Sequence, residues 1–436
     1  MKFLNESESP TRDHFRILTL SWAGWVFDFY DLILFTFLLI PIGNELSLSN
    51  VMLSLILGSS LAATAFGGIV FGFLSDKIGR KSVLQWTILT YSIGTFLSGF
   101  SSSIEVLLIF RIITGLGVGG EWATGQTFIG ETFPPGVRGR YSAIMQTGAP
   151  IGIIFASVVG GFLEPAVGWR MCFFVSVLPA VLVVFVRKHL PESDVWLEHR
   201  RIVTEAETQS IGGESNGAQK TESLLERERG AKFHLLLSKG YVKIFLQSLL
   251  LAIFLMSAYW FTYSWLPGYL HEQRHFTMAR SALWMIVTQG GGVLGYISFG
   301  FVADMMGRRP AFTIYSTLWA VGLLMITIFW NAVFDYPIFI LGFMFLVGFG
   351  TGVFSGFGPL CAELFPTSIR NTAMGTSFNL ARGIQFFAPL IIALASEAYG
   401  LSGGISIAAL FAVLTGLWIW TFPETKGKKI ALLSVE

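Results

Sequence analysis

Five ionisable side chains fall inside long apolar runs of this 436-residue chain: Asp28, Asp31, Arg111, Glu121 and Arg382. If those runs cross a bilayer, each charge costs ~2.5–3.5 kcal/mol even on the generous insertion scale, so the five are expected to face a cavity or one another. Arg382 stands near the middle of its run. A guanidinium stays protonated and offers a planar fork of donors matched to a carboxylate, so its simplest task is to hold an anion. The competing reading is a structural pair with a buried acid such as Asp28 or Asp31. These two acids are three residues apart and share one helical face. Two carboxylates so close in a low dielectric do not both stay ionised cheaply, and a pair that keeps a proton is what proton coupling requires. Alternatively, one of them neutralises Arg382 or Arg111 and never exchanges its proton. Glu121 lies among Gly115, Gly117, Gly119 and Gly120, small residues that suit close helix packing, and is a candidate for proton coupling or for a structural hydrogen bond. Arg111 is nearer the outer end of the same run, where a long side chain can snorkel.

Neutral groups at comparable depth extend the list of candidate ligands. Tyr259 and Tyr263 are one helical turn apart; Gln146, Gln289, Asn379 and Gln385 are further donors. Each of these alone serves equally well as helix–helix glue. The sequence contains no metal-ligand cluster, nucleophile triad or phosphate-cradling loop, so neither an enzyme nor a cofactor is expected. The glycine-rich stretch 115–120 lies inside an apolar run, which excludes a nucleotide site there and implies an energy source other than ATP.

The elements that must position these groups follow from composition. Hydrophobic residues make up 53% of the chain and charged residues 13%, about half the usual charged share of a soluble domain. The apolar runs approach the ~20 residues that cross ~30 Å of hydrocarbon as a helix. Twelve spans are predicted: 17–40, 51–74, 83–101, 107–130, 141–163, 171–187, 241–265, 281–303, 311–331, 336–361, 372–395 and 401–422. They divide into an N-terminal bundle (1–190), a polar linker loop (191–240) and a C-terminal bundle (241–436). The N-terminal segment reads as a retained first span rather than a cleaved leader. With the N-terminus in the cytoplasm, that side collects 24 of the 29 lysines and arginines and the other side three. The bias places both termini and the linker in the cytoplasm of a multi-pass cell-membrane protein, plasma or bacterial inner. Net charge is +2 and no basic stripe is interleaved with aromatics, so nucleic acid is not an expected partner. Cys172 and Cys361 both lie in apolar runs and indicate no disulfide framework.

The halves repeat. Gly72-Phe-Leu-Ser-Asp76-Lys-Ile-Gly79-Arg80-Lys81 is echoed by Gly300-Phe-Val-Ala-Asp304-Met-Met-Gly307-Arg308-Arg309, an offset of 228. Glu131-Thr-Phe-Pro134-Pro-Gly-Val-Arg138 recurs as Glu363-Leu-Phe-Pro366-Thr-Ser-Ile-Arg370, and Leu190-Pro-Glu-Ser193 as Phe422-Pro-Glu-Thr425, both at 232. Such a repeat predicts two six-helix bundles related by an axis along the membrane normal. Ion pairs among Asp76, Arg80, Arg138, Asp304, Arg308 and Arg370 are expected to gate the cytoplasmic side, as alternating access requires; topogenic charges beside tight turns are the plainer reading.

The doubled Gly-x-x-x-Asp-x-x-Gly-Arg-(Lys/Arg) loops resemble the major facilitator superfamily over nearly the whole chain. Arg111-Ile-Ile-Thr-Gly115-Leu-Gly-Val-Gly-Gly-Glu121-Trp122, the Gly168-Trp169-Arg170 turn and the Pro-Glu-(Ser/Thr) endings are similar to its sugar porters, metabolite:proton symporters and organic ion transporters. Asp28-x-x-Asp31 resembles the sialate:proton and aromatic-acid:proton symporters. Ala381-Arg382-Gly383-Ile-Gln-Phe-Phe-Ala388-Pro389 is similar to organic anion transporters, in which an arginine at this place is taken to bind the anion, and in related symporters the arginine of the span-4 motif is linked to proton movement. The resemblance implies a monomeric secondary transporter that carries a small organic anion, a carboxylate by preference, together with a proton. A sugar or organic-cation carrier of the same fold, or a non-transporting receptor, is the alternative.

Overall fold

In a computed structural model of the chain, residues 4, 7, 9–134, 141, 144–178, 180–181, 190–194, 196–198, 200–201, 236–238, 240–333, 337–365 and 367–426 are described, with the backbone alone at 76, 123, 333, 337, 362 and 367–372. The described residues are helical, with no strand among them. Eight stretches are long and apolar enough to cross a membrane by length and composition, the last of them covering the eleventh and twelfth spans together. The architecture is twelve transmembrane helices in two pseudo-symmetric six-helix bundles.

Spans 1 to 4 are Arg12–Leu46, Asn50–Ile78, Arg80–Ser98 and Ile104–Thr132. Span 5 begins as Gly148–Val158 and continues to Val167, and Trp169–Val175 opens span 6. Span 7 is Val242–Tyr263, span 8 Met278–Met306 and span 9 Arg308–Thr327. Span 10 joins Pro337–Gly350 to Phe354–Leu364. Span 1 runs well past both ends of the expected 17–40. A capping box between Thr11 and His14 starts it early, and a left-handed Ser47 stops it, so local capping rather than hydropathy sets its ends. Span 11 departs from expectation more deeply. Thr367–Ile384 ends at Gln385 and Phe386, and a second helix, Phe387–Trp418, carries the rest of span 11 to a turn at Gly400 and then span 12.

Within the bundles, span 2 packs on span 4, span 1 on span 5, span 8 on span 10 and span 9 on span 12; span 5 meets span 8, and span 2 meets span 11, across the seam. Bare backbone makes the tightest of these approaches possible: a methyl added at Gly119 would lie 1.9 Å from the Thr64 carbonyl oxygen, and one at Gly348 1.6 Å from that of Thr288. The repeat extends to turn geometry. Gly79 and Gly307 have φ of 99° and 104°, and Gly168 and Gly400 have 81° and 67°, a region that L side chains avoid.

At the end that carries the Gly79 and Gly307 turns, each bundle braces itself in the same way. Arg80 donates to Glu131 at 2.8 and 3.1 Å, Ser193 Oγ donates to Glu131 at 2.6 Å, and Glu192 accepts the backbone N–H of Arg80 and Lys81. In the second half Arg308 donates to Glu363 at 2.9 Å and to Asp304 at 2.7 Å, Thr425 Oγ1 donates to Glu363, and Glu424 accepts the N–H of Arg308 and Arg309. Burial works to raise the Glu424 carboxyl, but the backbone amides of Arg308, Arg309, Lys426 and Thr425 outweigh it and hold the group below the usual carboxylate range. Of the expected pairs, Arg308 with Asp304 is formed, and further acids join it. Arg80 and Arg308 pair with acids of spans 4 and 10 inside their own bundles, because the turn glycines present the arginines to the ends of those helices. Arg138 lies outside the described residues, as do the side chains of Asp76 and Arg370.

Candidate functional site

Span 1 passes Asp28 and Asp31 between the bundles, and the two acids part company there. Asp31 turns toward spans 3 and 4. It accepts Arg111 Nη1 at 3.2 Å and the Thr95 hydroxyl. Arg111 in turn donates to Ser98 Oγ at 3.0 Å and to Thr95 and Thr114 Oγ1 at 3.1 Å, and its guanidinium lies 5.4 Å from the Phe35 ring and 4.9 Å from that of Phe173. Arg111 is 1% exposed. It does not snorkel, because this cage supplies partners that water would otherwise have to provide.

Asp28 has the opposite surroundings. It is fully buried and neither carboxylate oxygen has a hydrogen-bond partner. The charges that bear on it are those of Glu121, Arg382 and Asp31. Glu121 lies across the bare backbone of span 1 one turn earlier: a methyl at Gly24 would sit 1.9 Å from its Oε1. Its Oε2 accepts the Thr87 hydroxyl at 2.7 Å while Oε1 is unpartnered. Between them, these two buried carboxylates leave three oxygens without hydrogen-bond partners.

Arg382 stands on the far side of the seam, in the last turn before the break in span 11. The carbonyl end of a helix favours a cation. Gln385 holds the break: its Nε2 donates to the Ala381 carbonyl at 3.0 Å and to Ser257 Oγ at 3.2 Å. Arg382 is 2% exposed, makes no ion pair among the described residues, and leaves Nη1 without a hydrogen-bond partner; the Trp25 ring lies 5.8 Å from its Cζ.

Among the described residues, Arg382 is the one charged residue lining a small cavity between the bundles. Trp25, Phe29, Gln146 and Ala149 line it from the first bundle, and Met256, Tyr259, Trp260, Tyr296, Phe354 and Phe378 from the second. Beside the guanidinium, the indole Nε1 of Trp25, a donor, and the Tyr259 hydroxyl, which can donate or accept, are buried without partners, and the Gln146 carbonyl is already taken by Trp122 Nε1 at 3.1 Å. Of the candidate ligands, Arg382, Tyr259 and Gln146 therefore reach this cavity. Tyr263 stacks behind Tyr259 at 4.6 Å, facing Gln289 without a hydrogen bond of normal geometry. Asn379 packs on Gly68 at the seam of spans 2 and 11, and Gln385 is occupied at the break. Sequence reasoning passed over Trp25, Phe29 and Tyr296; the first two flank Asp28 by three residues and one, which is the signal that could have found them.

Outside the cavity, Trp265 Nε1 donates to Ser54 Oγ at 3.1 Å, a fully buried bond that joins the bundles between the end of span 7 and the start of span 2.

The chain resembles known transporters over its whole length. The profile of the sugar (and other) transporter family matches residues 4–436. A putative metabolite transport protein of Haemophilus influenzae is 32% identical, with 94% of this chain and 96% of that protein covered. The sialic acid transporter NanX of Escherichia coli is 30% identical, with 96% of each covered. Among solved structures, the crystal structure of a D-xylose-proton symporter superposes with a TM-score of 0.73 at 22% identity, covering 95% of this chain and 99% of that one, a likeness of fold. Twelve spans, mirrored braces, a seam cavity and these matches lead to one conclusion: the chain is a transporter, not an enzyme, and belongs to the sugar (and other) transporter family of the major facilitator superfamily.

Proposed function

We propose that the protein is a proton-coupled symporter of a small organic anion, a carboxylate, working by alternating access with both termini in the cytoplasm. One observation carries this reading: a buried guanidinium without a counter-ion among the described residues, Arg382, forms part of a cavity wall that also holds the indole of Trp25, the amide of Gln146 and the hydroxyls of Tyr259 and Tyr296, all able to donate. A carboxylate satisfies such a wall. A neutral sugar can use the tyrosine hydroxyls as acceptors but leaves the guanidinium without a counter-charge. The sialic acid transporter among the relatives carries an acid, which favours the same reading.

The proton belongs to Asp28 and Glu121. With no cargo charge nearby, Asp28 serves as the distant counter-charge of Arg382. When a carboxylate takes over the guanidinium, Asp28 loses that support, and burial beside Glu121 favours uptake of a proton. Asp31 and Arg111 neutralise each other and stay out of the cycle. A monoanion accompanied by one proton moves no net charge, so the pH gradient alone drives uptake. A dianion with one proton works against an inside-negative potential by ~2.3 kcal/mol per 100 mV. Binding to the folded state raises apparent stability, so a thermal-shift screen of purified protein against carboxylates at two pH values tests the reading. Carboxylates that stabilise wild type but not Arg382→Ala support it; sugar uptake that survives both Arg382→Ala and Arg382→Lys would sink it.

A further inference from the structure

Trp122 stands just behind the cavity wall, on span 4, with two contacts that reach into the site from opposite bundles. Its indole N–H donates to Gln146 Oε1 at 3.1 Å on span 5. Its ring lies flat on Phe378 of span 11, 4.1 Å between centroids and 16° between planes. It is 6% exposed, and Phe378 and Gln146 both line the cavity. An indole nitrogen can only donate, so the amide atom facing it must be the carbonyl. That bond fixes which end of Gln146 is left for the cavity: the NH2 group, two donors. Released from Trp122, the amide is free to turn over and present an acceptor, which a carboxylate repels and a neutral amide or alcohol welcomes. The stack on Phe378 holds the indole in place from across the seam.

We infer that Trp122 is a specificity-determining positioning residue, which keeps the Gln146 amide donors turned toward the anion while the bundles are together around it. The inference rests on the organic-anion reading above, and the two are separable by experiment. Proteoliposomes with wild-type protein are tested for uptake of benzoate, nicotinate, lactate and further acids. The acid taken up best becomes the probe, and competition by that acid and by its primary amide gives an acid-over-amide discrimination ratio. Wild type that takes up no acid removes the anion reading, and the inference falls with it. Trp122→Phe keeps the ring on Phe378 and removes only the N–H. The ratio is expected to fall by about two- to tenfold, the range of one net hydrogen bond. A merely structural role lowers both affinities together and leaves the ratio unchanged, which overturns the inference. Should Trp122→Phe fail to fold, Gln146→Met reports from the other side of the bond: a lowered ratio supports the inference, and an unchanged ratio overturns it.

Discussion

Arg111 and Arg382 are both guanidiniums buried within spans, one in each bundle, and their surroundings are opposite. Arg111 is held by Asp31, three hydroxyls and two aromatic faces. Arg382 has an indole at its side, an acid at a distance, and an unpartnered nitrogen at the cavity wall. Burial of a charge is equally costly in the two places, so what separates them is whether the protein itself repays that cost. Where it does, the charge serves the fold. Where it does not, the remaining partner is expected to arrive from outside.

The comparison is broken most directly by removing each guanidinium in turn. Arg382→Ala is expected to lower uptake by roughly ten- to 150-fold, as the loss of a charge-assisted hydrogen bond of about 1.5–3 kcal/mol implies, while leaving the melting temperature nearly unchanged or raising it. Lysine at the same place keeps the charge and loses the fork, so it recovers part of the uptake. Arg111→Ala is expected to do the reverse. It strands Asp31 in the interior at about 3–5 kcal/mol, read as a lowered melting temperature and a poor yield of monodisperse protein. The double variant Arg111→Ala/Asp31→Ala should be more stable than the single one. If Arg382→Ala unfolds the protein and Arg111→Ala only slows it, the roles are exchanged.

Much of this arrangement was legible in the residues themselves, and the illegible part has a physical cause. The repeated loops announced the paired turns at Gly79 and Gly307 and the mirrored acids Glu131 and Glu363, because tight turns and ion pairs need particular residue types at fixed offsets. Charge in an apolar run singled out Asp28, Asp31, Arg111, Glu121 and Arg382, all of them buried. Their partnerships were not readable. Asp28 and Asp31 sit roughly 60° apart around one helix, near enough to share a face and far enough to serve different neighbours. The aromatic wall was hidden for another reason. With 41 phenylalanines in the chain, apolar side chains face lipid, core and cavity alike, and helical periodicity carries no record of which way a span is rotated. The break after Arg382 did leave a mark, Pro389, which has no N–H for the carbonyl of Gln385 four residues earlier, and the expected span 372–395 ran through it.

A smaller effect sharpens the contrast between the two acids of span 1. Asp28→Asn removes the exchangeable charge and adds an amide in a place without partners. Binding of the anion should survive and lose much of its dependence on pH, and counterflow should persist while uphill accumulation driven by a pH gradient disappears. Asp31→Asn should instead weaken the fold with its coupling ratio intact. Reconstituted vesicles assayed for both modes of transport separate the two outcomes. Accumulation that remains fully pH-driven in Asp28→Asn would move the proton to Glu121, and Glu121→Gln is the companion variant.

The smallest expected effect lies outside the membrane, at the brace where Glu424 gathers the amides of Arg308, Arg309, Thr425 and Lys426 around the Gly307 turn. Its carboxyl is held below the usual range in the folded protein. A group with a depressed folded value contributes its stability above the unfolded value and loses it as the pH falls through the folded one. The turn between spans 8 and 9 should accordingly be firmest near neutrality and loosen in acid. Glu424→Gln keeps the shape, halves the acceptor capacity and removes the titration, so slow amide exchange at Arg308 and Arg309 should become faster and independent of pH-linked protection across the carboxylate range. Because the site is partly open to solvent, the change belongs to local opening and not to global stability. Protection that weakens in acid equally in wild type and in Glu424→Gln would assign it to another group.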